Sequence, residues 1–134
     1  MFVWPVRVYY EDTDFGGVVY YANYLRYFER AHTEWLRSLG VDHQRLARED
    51  GLQFVVRRVE IDFLRGARLD DVLNISVEIT EQKRTYLWLR QRALRGAEPM
   101  AEGRVQAACV RCDDFKPAPL PAALAGATVN PETR

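Results

Sequence analysis

The apolar positions along this chain change their spacing as the chain proceeds. Near the start they alternate with other residues, which predicts a strand over residues 2–10. From Asn23 they recur every three or four residues, which predicts an amphipathic helix from Asn23 to about Leu39. Asn23 is a suitable N-cap residue, and Gly40 is a suitable residue to follow the last turn. The apolar stripe of this helix consists of Leu25, Phe28, Ala31 or His32, Trp35, Leu36 and Leu39.

The rest of the chain is predicted to be rich in strands. A short second helix is expected at about residues 42–49, ending near Gly51. Apolar and polar residues then alternate, which predicts four strands over the ranges 54–63, 72–80, 85–94 and 101–112. The short turns between these strands favour antiparallel neighbours, and the single long helix must bury its apolar stripe on the sheet. The predicted fold class is therefore α+β: a curved five-stranded antiparallel sheet wrapped around one long central helix.

The predicted domain covers residues 1–121, and residues 122–134 are expected to form an irregular C-terminal tail. The chain from Asp113 onward carries four prolines, between Pro117 and Pro131, which favour irregular structure. Around Tyr86 and Trp88 the strand pattern is apolar on both faces. A second apolar face usually meets a partner, so a homodimer or homotetramer is expected. The alternative is that the tail or the second helix covers that face.

Composition and charge exclude several classes of function. Nineteen basic and nineteen acidic residues cancel, so no overall field attracts nucleic acid or an anionic membrane. No apolar run approaches the roughly 20 residues of a membrane-spanning helix, and the N-terminus lacks the pattern of a signal peptide. We therefore expect a cytoplasmic protein without membrane insertion. Cys109 and Cys112 would need two further ligands to hold zinc, and the only two histidines lie on predicted helices, so no metal site is expected.

The segment YYEDTDFGGVVYYANYL, residues 9–25, places three carboxylates beside a glycine pair and a helix start. The unpaired N–H groups of a helix start can hold an oxyanion, while a carboxylate attacks a carbonyl carbon or deprotonates water. This combination suits the hydrolysis of an activated carbonyl compound. The alternative is that Glu11, Asp12 and Asp14 are solvated turn residues that stabilise the helix end through its dipole. Spacing alone does not choose between Asp12 and Asp14.

The run WPVRVYYEDTD at residues 4–14, the following GGVVY, and the later NYL and ERA closely resemble the hotdog-fold acyl-CoA thioesterases. The resemblance is greatest to the branch associated with the Tol–Pal cell-envelope cluster, and the chain is also similar to the 4-hydroxybenzoyl-CoA thioesterases. It covers about residues 3–121 and includes FVVR at 54–57 and ARLDD at 67–71. The D-x-x-G-V-V-Y core is its most specific part.

The resemblance implies roles for individual residues. The catalytic carboxylate of the family falls on Asp14, and its oxyanion donor is the main-chain N–H of Tyr21. The Tol–Pal-associated branch commonly has His at this position, whereas the 4-hydroxybenzoyl-CoA branch has Tyr, so an aromatic or otherwise different acyl group is expected. Substrate-binding positions fall on Gly16, Gly17, Val18 and Asn23.

The resemblance also implies where the phosphates of coenzyme A bind. The family places cations for them partly on a neighbouring subunit, near the turn between the third and fourth strands, which here contains Lys83 and Arg84. Four other arginines compete for this role: Arg57, Arg58, Arg65 and Arg68.

The implied reaction is hydrolysis of an acyl-CoA thioester to the free acid and coenzyme A. No cofactor is required, because coenzyme A is part of the substrate, and acyl carrier protein is the alternative carrier. A different class of function also fits the fold: a non-catalytic module that binds acyl-CoA or acyl carrier protein, or a scaffold of an envelope complex. Such a module would have no need of Asp14. A hotdog dehydratase is disfavoured, because neither His32 nor His43 lies in the glycine-containing segment.

Overall fold

The structure is a computed structural model and describes residues 1–132. Its main elements are strand β1 (Phe2–Arg7), helix α1 (Asn23–Ser38), and strands β2 (Leu52–Phe63), β3 (Val72–Gln82), β4 (Tyr86–Arg95) and β5 (Glu98–Arg111). Short helical turns lie at Tyr10–Asp12, His43–Arg45 with its continuation Leu46–Asp50, and Ala122–Gly126. The five predicted strands are therefore confirmed to within a few residues at each end, and α1 ends one residue before its predicted end.

The five strands form one antiparallel sheet in the order β1-β3-β4-β5-β2. The prediction that consecutive strands are neighbours is wrong for β2 and β3, because β2 pairs with β5 at the far edge of the sheet. Residues 64–71 connect the two strands across the ends of β4 and β5. Three strand spacings amount to about 14 Å, which eight residues span easily at about 3.3 Å each.

The crossing segment of residues 64–71 is held by main-chain hydrogen bonds and by burial. The N–H groups of Leu64 and Arg65 donate to the carbonyl oxygen of Met100, at 2.9 and 3.2 Å. Ala67 is fully buried. At the far end, Asp70 and Asp71 pair with the main chain of Val8, just after β1. This segment therefore closes one end of the sheet.

Helix α1 packs against one face of the sheet. Its buried residues are Tyr24, Tyr27, Phe28, Ala31, His32, Trp35 and Leu36. Leu25, which the sequence places in the stripe, is instead exposed, because the buried face is rotated toward the two tyrosines. On the sheet, Gln91 donates from Nε2 to the carbonyl oxygen of Phe28 at 3.0 Å. The side chain of Phe28 lies directly over Gly103, which has no Cβ to obstruct it.

The opposite face of the sheet is polar, contrary to the expectation of a second apolar face. Tyr86 and Trp88 do point away from α1, but their neighbours on that face include charged residues of β2, β4 and β5. Arg90 lies 3.9 Å from Glu102, and Arg104 lies 3.9 Å from Glu60. The Arg104 guanidinium covers the Trp88 ring at 4.5 Å from its centroid. This face therefore gives no support to the predicted oligomer.

The C-terminal segment contacts the rest of the domain at two points. Leu124 is fully buried in the core, and Val129 forms a parallel bridge with Ile79 beyond the end of β1. The tail thus covers the part of the β3 edge that the shorter β1 leaves free, as exposed edges commonly require. The last two residues of the predicted tail, 133 and 134, lie outside the described residues, and the domain division at residue 121 stays a prediction. Within residues 1–132, no helix is long and apolar enough to cross a membrane.

Substituting Gly103 by Ala should destabilise the fold. The new Cβ would lie 2.8 Å from Phe28 Cε2 and 3.0 Å from the Glu60 carbonyl oxygen, and the latter belongs to a paired strand that cannot yield easily. We expect a loss of about 1–3 kcal/mol in the free energy of unfolding, measured by urea denaturation. Gly126→Ala is the matched control, because nothing lies within 4 Å of its Cβ position. Equal stability of the two variants would contradict the packing described here.

Candidate active site

The predicted site residues lie on a narrow loop between β1 and α1. Its two arms pair through a bridge between Thr13 and Val19, and the Asp14 N–H donates to the Val18 carbonyl oxygen at 2.9 Å. At the tip, the Gly17 N–H donates to the Asp14 carbonyl oxygen at 3.0 Å. Gly17 has a φ of 80°, a conformation that glycine adopts without steric cost. Gly17 therefore allows the tight turn at the tip of the loop.

Asp14 is exposed, and its carboxylate is held in one orientation. Its Oδ1 accepts a hydrogen bond from the Gly16 N–H at 2.8 Å, which closes a local turn of the kind that Asp residues favour. A side chain at Gly16 would bring its Cβ within 3.2 Å of this oxygen. Within the described residues, the other carboxylate oxygen has no hydrogen-bond donor. Asp14 thus offers one free, fixed oxygen to a bound molecule.

Asp12 has the opposite surroundings. Its side chain is only 7% exposed, and Oδ2 accepts a hydrogen bond from the Tyr9 N–H at 2.9 Å. Its carbonyl oxygen accepts two further bonds, from the Tyr20 N–H and from Asn23 Nδ2, both at 2.9 Å. Burial, and then the neighbouring Asp12 carboxylate, raise the pKa of the Tyr27 phenol. Asp12 therefore ties the base of the loop to the start of α1.

Asn23 is the first residue of α1 and does not cap it. The N-cap position is Ala22, which offers no side-chain hydrogen bond, and the Asn23 amide is directed at Asp12 instead. The N-terminal N–H groups of α1 consequently have no capping side chain. Among the hydrogen bonds of residues 1–132, none is donated by the main-chain N–H of Tyr21. An open donor therefore lies where the helix begins.

The Tyr21 side chain is 61% exposed and belongs to an aromatic cluster. Its ring lies 4.8 Å from that of Tyr20 and 5.8 Å from that of Phe63, measured between centroids. Phe63, at the end of β2, also contacts Tyr24 at 5.8 Å. The surface beside the open N–H is thus aromatic, and β2 contributes to it.

The crossing segment holds the second arm of the loop. The Val19 N–H donates to the carbonyl oxygen of buried Ala67 at 2.8 Å, and Val18 bridges to Arg68. Gly66 permits this approach, because a Cβ there would lie 2.6 Å from Val18 Cγ1. Sequence reasoning missed Gly66 and Ala67, since they lie in a stretch that has the composition of an ordinary hairpin turn.

The predicted phosphate-binding residues lie at different distances from the Asp14 loop. Lys83 and Arg84 follow the C-terminal end of β3, whereas the Asp14 loop lies beside its N-terminal end, about 35 Å away along an 11-residue strand. Lys83 Nζ is also 3.3 Å from Glu81 Oε1. Of the competing arginines, Arg65 pairs with Glu98 at 3.0 Å, while Arg68 Nη1 lies 3.9 Å from the Cβ position of Gly17. Of the predicted phosphate-binding residues, Arg68 therefore lies beside the loop.

The fold has a helix on one face of the sheet and a carboxylate-bearing loop at the start of that helix. Comparison with known proteins identifies the class to which a chain with these features belongs. A model of the thioesterase-like superfamily matches residues 8–128, and the chain belongs to that superfamily. The acyl-CoA thioesterase YbgC of Haemophilus influenzae is 46% identical over 120 residues, which cover 90% of this chain and 88% of the relative. The acyl-CoA thioester hydrolase YbgC of Escherichia coli O157:H7 is 44% identical over 125 residues, or 92% of each chain. The crystal structure of a probable thioesterase from Bartonella henselae superimposes with a TM-score of 0.85 and 38% identity, covering 89% of this chain and 98% of that chain.

Proposed function

We propose that this protein hydrolyses acyl-CoA thioesters to the free acid and coenzyme A. The observation that carries the proposal is that one short loop carries a fixed, exposed Asp14 carboxylate and leads into an open N–H at the start of α1. The names of the relatives, which are acyl-CoA thioesterases at 44–46% identity, support the same reaction. A module that only binds acyl-CoA would need neither the free carboxylate nor the open donor.

In the proposed reaction the thioester carbonyl oxygen accepts a hydrogen bond from the Tyr21 N–H. The Asp14 carboxylate then either deprotonates a water molecule or attacks the carbonyl carbon itself. Negative charge develops on the carbonyl oxygen, where the N–H and the positive end of the α1 dipole stabilise it. The carbon–sulfur bond breaks and the thiolate of coenzyme A leaves. If Asp14 is the nucleophile, water afterwards hydrolyses the anhydride. We infer that α1 is the central helix of a hotdog domain, an arrangement that directs this dipole at the loop.

The other predicted site residues contribute in different ways. Gly16 and Gly17 let the loop approach the thioester closely, and Val18 lies beside them. The Asn23 amide already binds the Asp12 carbonyl oxygen, so we assign Asn23 to holding the loop as well as to bordering the substrate. Arg68 is the candidate for a coenzyme A phosphate within the same chain, whereas Lys83 and Arg84 could serve only the site of a partner subunit.

The assembly that we propose is a homodimer, with pairs of dimers as the larger alternative. Within the described residues, β2 pairs on one side only and forms a free edge of 12 residues. Val56, Val59 and Phe63 are exposed beside this edge. Long free edges with apolar side chains favour pairing with another chain. Because Phe63 lies both at this edge and in the aromatic cluster beside Tyr21, we infer that the active site lies at the subunit interface.

Three finer features belong to the same proposal. The exposed Tyr21, Tyr20 and Phe63 rings favour an aromatic acyl group, which would agree with the resemblance to 4-hydroxybenzoyl-CoA thioesterases. The resemblance to the Tol–Pal-associated branch supports a role beside the cell envelope. We place the protein in the cytoplasm, where coenzyme A or acyl carrier protein would deliver the acyl group.

Replacing Asp14 with Asn should remove most activity. The change preserves size but removes the charge that a base or nucleophile needs, and a positioned base contributes about 10²–10⁴-fold. We expect kcat to fall by at least that range, with KM changed little, on the best substrate from a screen of short, long and aromatic acyl-CoA esters with free-thiol detection.

Asp12→Asn is the matched control for that measurement. It should lower the free energy of unfolding, since Asp12 is buried and hydrogen-bonded, while kcat falls much less. An inactive Asp12→Asn protein beside an active Asp14→Asn protein would overturn the assignment of the catalytic carboxylate.

The proposed oxyanion donor is a main-chain group. A change to the Tyr21 side chain should therefore affect activity much less than a change that removes the Tyr21 N–H. Tyr21→Phe should retain most of the activity, whereas Tyr21→Pro deletes the N–H and should lower kcat by about 10²–10³-fold. Circular dichroism of both variants checks that α1 is intact. Full activity of a folded Tyr21→Pro protein would exclude this N–H as the donor.

The proposed homodimer should be detectable directly. Sedimentation velocity at micromolar concentration should give a species of about twice the 15.6 kDa chain mass, because pairing of two β2 edges satisfies main-chain groups that are otherwise exposed to water. A single species at the chain mass would rule out the proposed assembly.

A further inference from the structure

The crossing segment ends in a turn, residues 68–71, that two hydrogen bonds close. The Asp71 N–H donates to the Arg68 carbonyl oxygen at 3.1 Å. The Asp71 side chain returns to the same residue, because its Oδ2 accepts from the Arg68 N–H at 2.9 Å. Asp71 is therefore joined to Arg68 through both its main chain and its side chain.

Asp70, inside this turn, has a left-handed backbone with a φ of 69°. A residue other than glycine adopts this conformation at a cost in free energy, and it persists where surrounding contacts hold the chain. Val8 supplies such contacts. Its N–H donates to the Asp71 carbonyl oxygen at 2.8 Å, and its carbonyl oxygen accepts from the Asp70 N–H at 3.0 Å. The turn is thus fixed to the chain that leaves β1.

The peptide group between Ala67 and Arg68 connects this turn to the Asp14 loop. Its N–H is the group that donates to Asp71, and its carbonyl oxygen accepts from the Val19 N–H at 2.8 Å. A peptide group is planar, so a bond that fixes the direction of its N–H also fixes the direction of its carbonyl. The Asp71 carboxylate and the second arm of the loop therefore bind opposite sides of one rigid group.

The negative charge of Asp71 strengthens this connection. Hydrogen bonds to a carboxylate are about twice as strong as bonds between neutral groups. A peptide group that donates to an anion is also polarised, which makes its carbonyl oxygen a better acceptor. The Val19 N–H is thus held more firmly than a neutral turn would hold it.

Arg95 contacts the same carboxylate from the turn between β4 and β5. Its Nη1 lies 3.1 Å from Asp71 Oδ2, and its Nη2 lies 2.9 Å from Glu98 Oε1. The Arg95 side chain is 42% exposed and that of Asp71 is 23% exposed. Ion pairs that water screens in this way contribute little to stability. The two contacts of Asp71 can therefore be separated by substitution at Arg95.

We propose that Asp71 is a positioning residue for the proposed reaction, and that it acts on the second arm of the loop through the Ala67–Arg68 peptide group. That arm continues directly from Val19 to Tyr21, whose N–H is the proposed oxyanion donor. The inference rests on the proposed function and adds to it a residue that takes no part in bond breaking. An oxyanion donor stabilises the developing charge best when it is already held in place before the reaction. Asp71 holds the arm that carries this donor.

Substituting Asp71 by Ala removes the acceptor of the Arg68 N–H. We expect kcat to fall by about ten- to a hundredfold on the best acyl-CoA ester with KM nearly unchanged, because a small displacement of a catalytic group has effects of this size. Asp71→Asn keeps a carbonyl oxygen as acceptor and should restore kcat to within about threefold of the wild-type value. Unchanged kcat in folded Asp71→Ala protein would overturn the inference and leave hydrolysis established. A wild-type protein that hydrolyses no ester would overturn the proposed function itself.

Two control variants isolate the contact with the peptide group. Arg95→Ala removes the ion pair but keeps the bond to Arg68, so kcat should stay within about threefold of wild type. Asp70→Asn removes one negative charge from the same turn, and within residues 1–132 the Asp70 carboxylate makes no hydrogen bond or ion pair. Asn also tolerates the left-handed backbone, so this variant should keep the wild-type kcat. A loss in either control equal to that of Asp71→Ala would refute the role of the peptide group.

A double variant distinguishes positioning from a general loss of stability. Protein that carries Tyr21→Pro already lacks the proposed donor, so adding Asp71→Ala should lower kcat little further. Losses of kcat that multiply would show that Asp71 acts independently of the Tyr21 N–H, and the inference would be wrong.

Amide hydrogen exchange tests the contact in the case that Asp71→Ala does not fold. Asp71→Asn preserves the shape of the side chain but weakens its bond to the Arg68 N–H. Exchange of the Val19 amide hydrogen should therefore be about three- to tenfold faster than in the wild type, while the amides of β4 exchange as before. An unchanged rate at Val19, or an equal acceleration throughout the sheet, would contradict the proposed role of Asp71.

Discussion

The arrangement of the site depends on the way residues 64–71 cross the end of the sheet. A hairpin between β2 and β3 would have left the Asp14 loop without a neighbour, and its backbone groups would have faced water. Because the segment instead crosses two strand ends, the carbonyl oxygen of Ala67 meets the Val19 N–H, and Gly66 lets the chain contact Val18. The second arm of the loop is thus paired on both sides, with the first arm on one side and with the crossing segment on the other. Such pairing fixes its geometry before any substrate arrives, which is what stabilisation of a developing charge requires.

The same loop divides its two nearby carboxylates between two tasks. A buried carboxylate is tolerated only when hydrogen bonds replace its water, and Asp12 has such a bond from Tyr9. The main-chain carbonyl oxygen of Asp12 accepts from Asn23 Nδ2 and so ties the loop to the start of α1, where the N-cap residue Ala22 provides no capping side chain. Asp14 is left exposed, with one oxygen fixed and one free. The buried Asp12 therefore holds the loop in place, while the exposed Asp14 is accessible to a bound molecule.

The sequence predicted local features well and long-range ones poorly. Strand and helix positions follow from the spacing of apolar residues, which is a local signal. The partner of β2 is a long-range property, and the Arg-Gly-Ala-Arg composition of the crossing segment is the same whether the chain turns back or crosses. The alternation of residues also led to a wrong prediction that the outer sheet face is apolar. Its Trp88 ring is covered by Arg104 from a neighbouring strand, which local spacing does not reveal. The choice of Asp14 over Asp12 came from the family resemblance, and the exposure of Asp14 beside the burial of Asp12 supports that proposal.

Strand β2 connects the proposed chemistry with the proposed assembly. Its end supplies Phe63 to the aromatic cluster beside Tyr21, and its outer edge is free to pair. A free edge strand is normally one of the more mobile parts of a sheet, because half of its main-chain groups lack partners. Pairing with a second chain would hold the end of β2, and with it the Phe63 ring, in place beside Tyr21. The geometry of the proposed active site would then depend on the interface between the two chains.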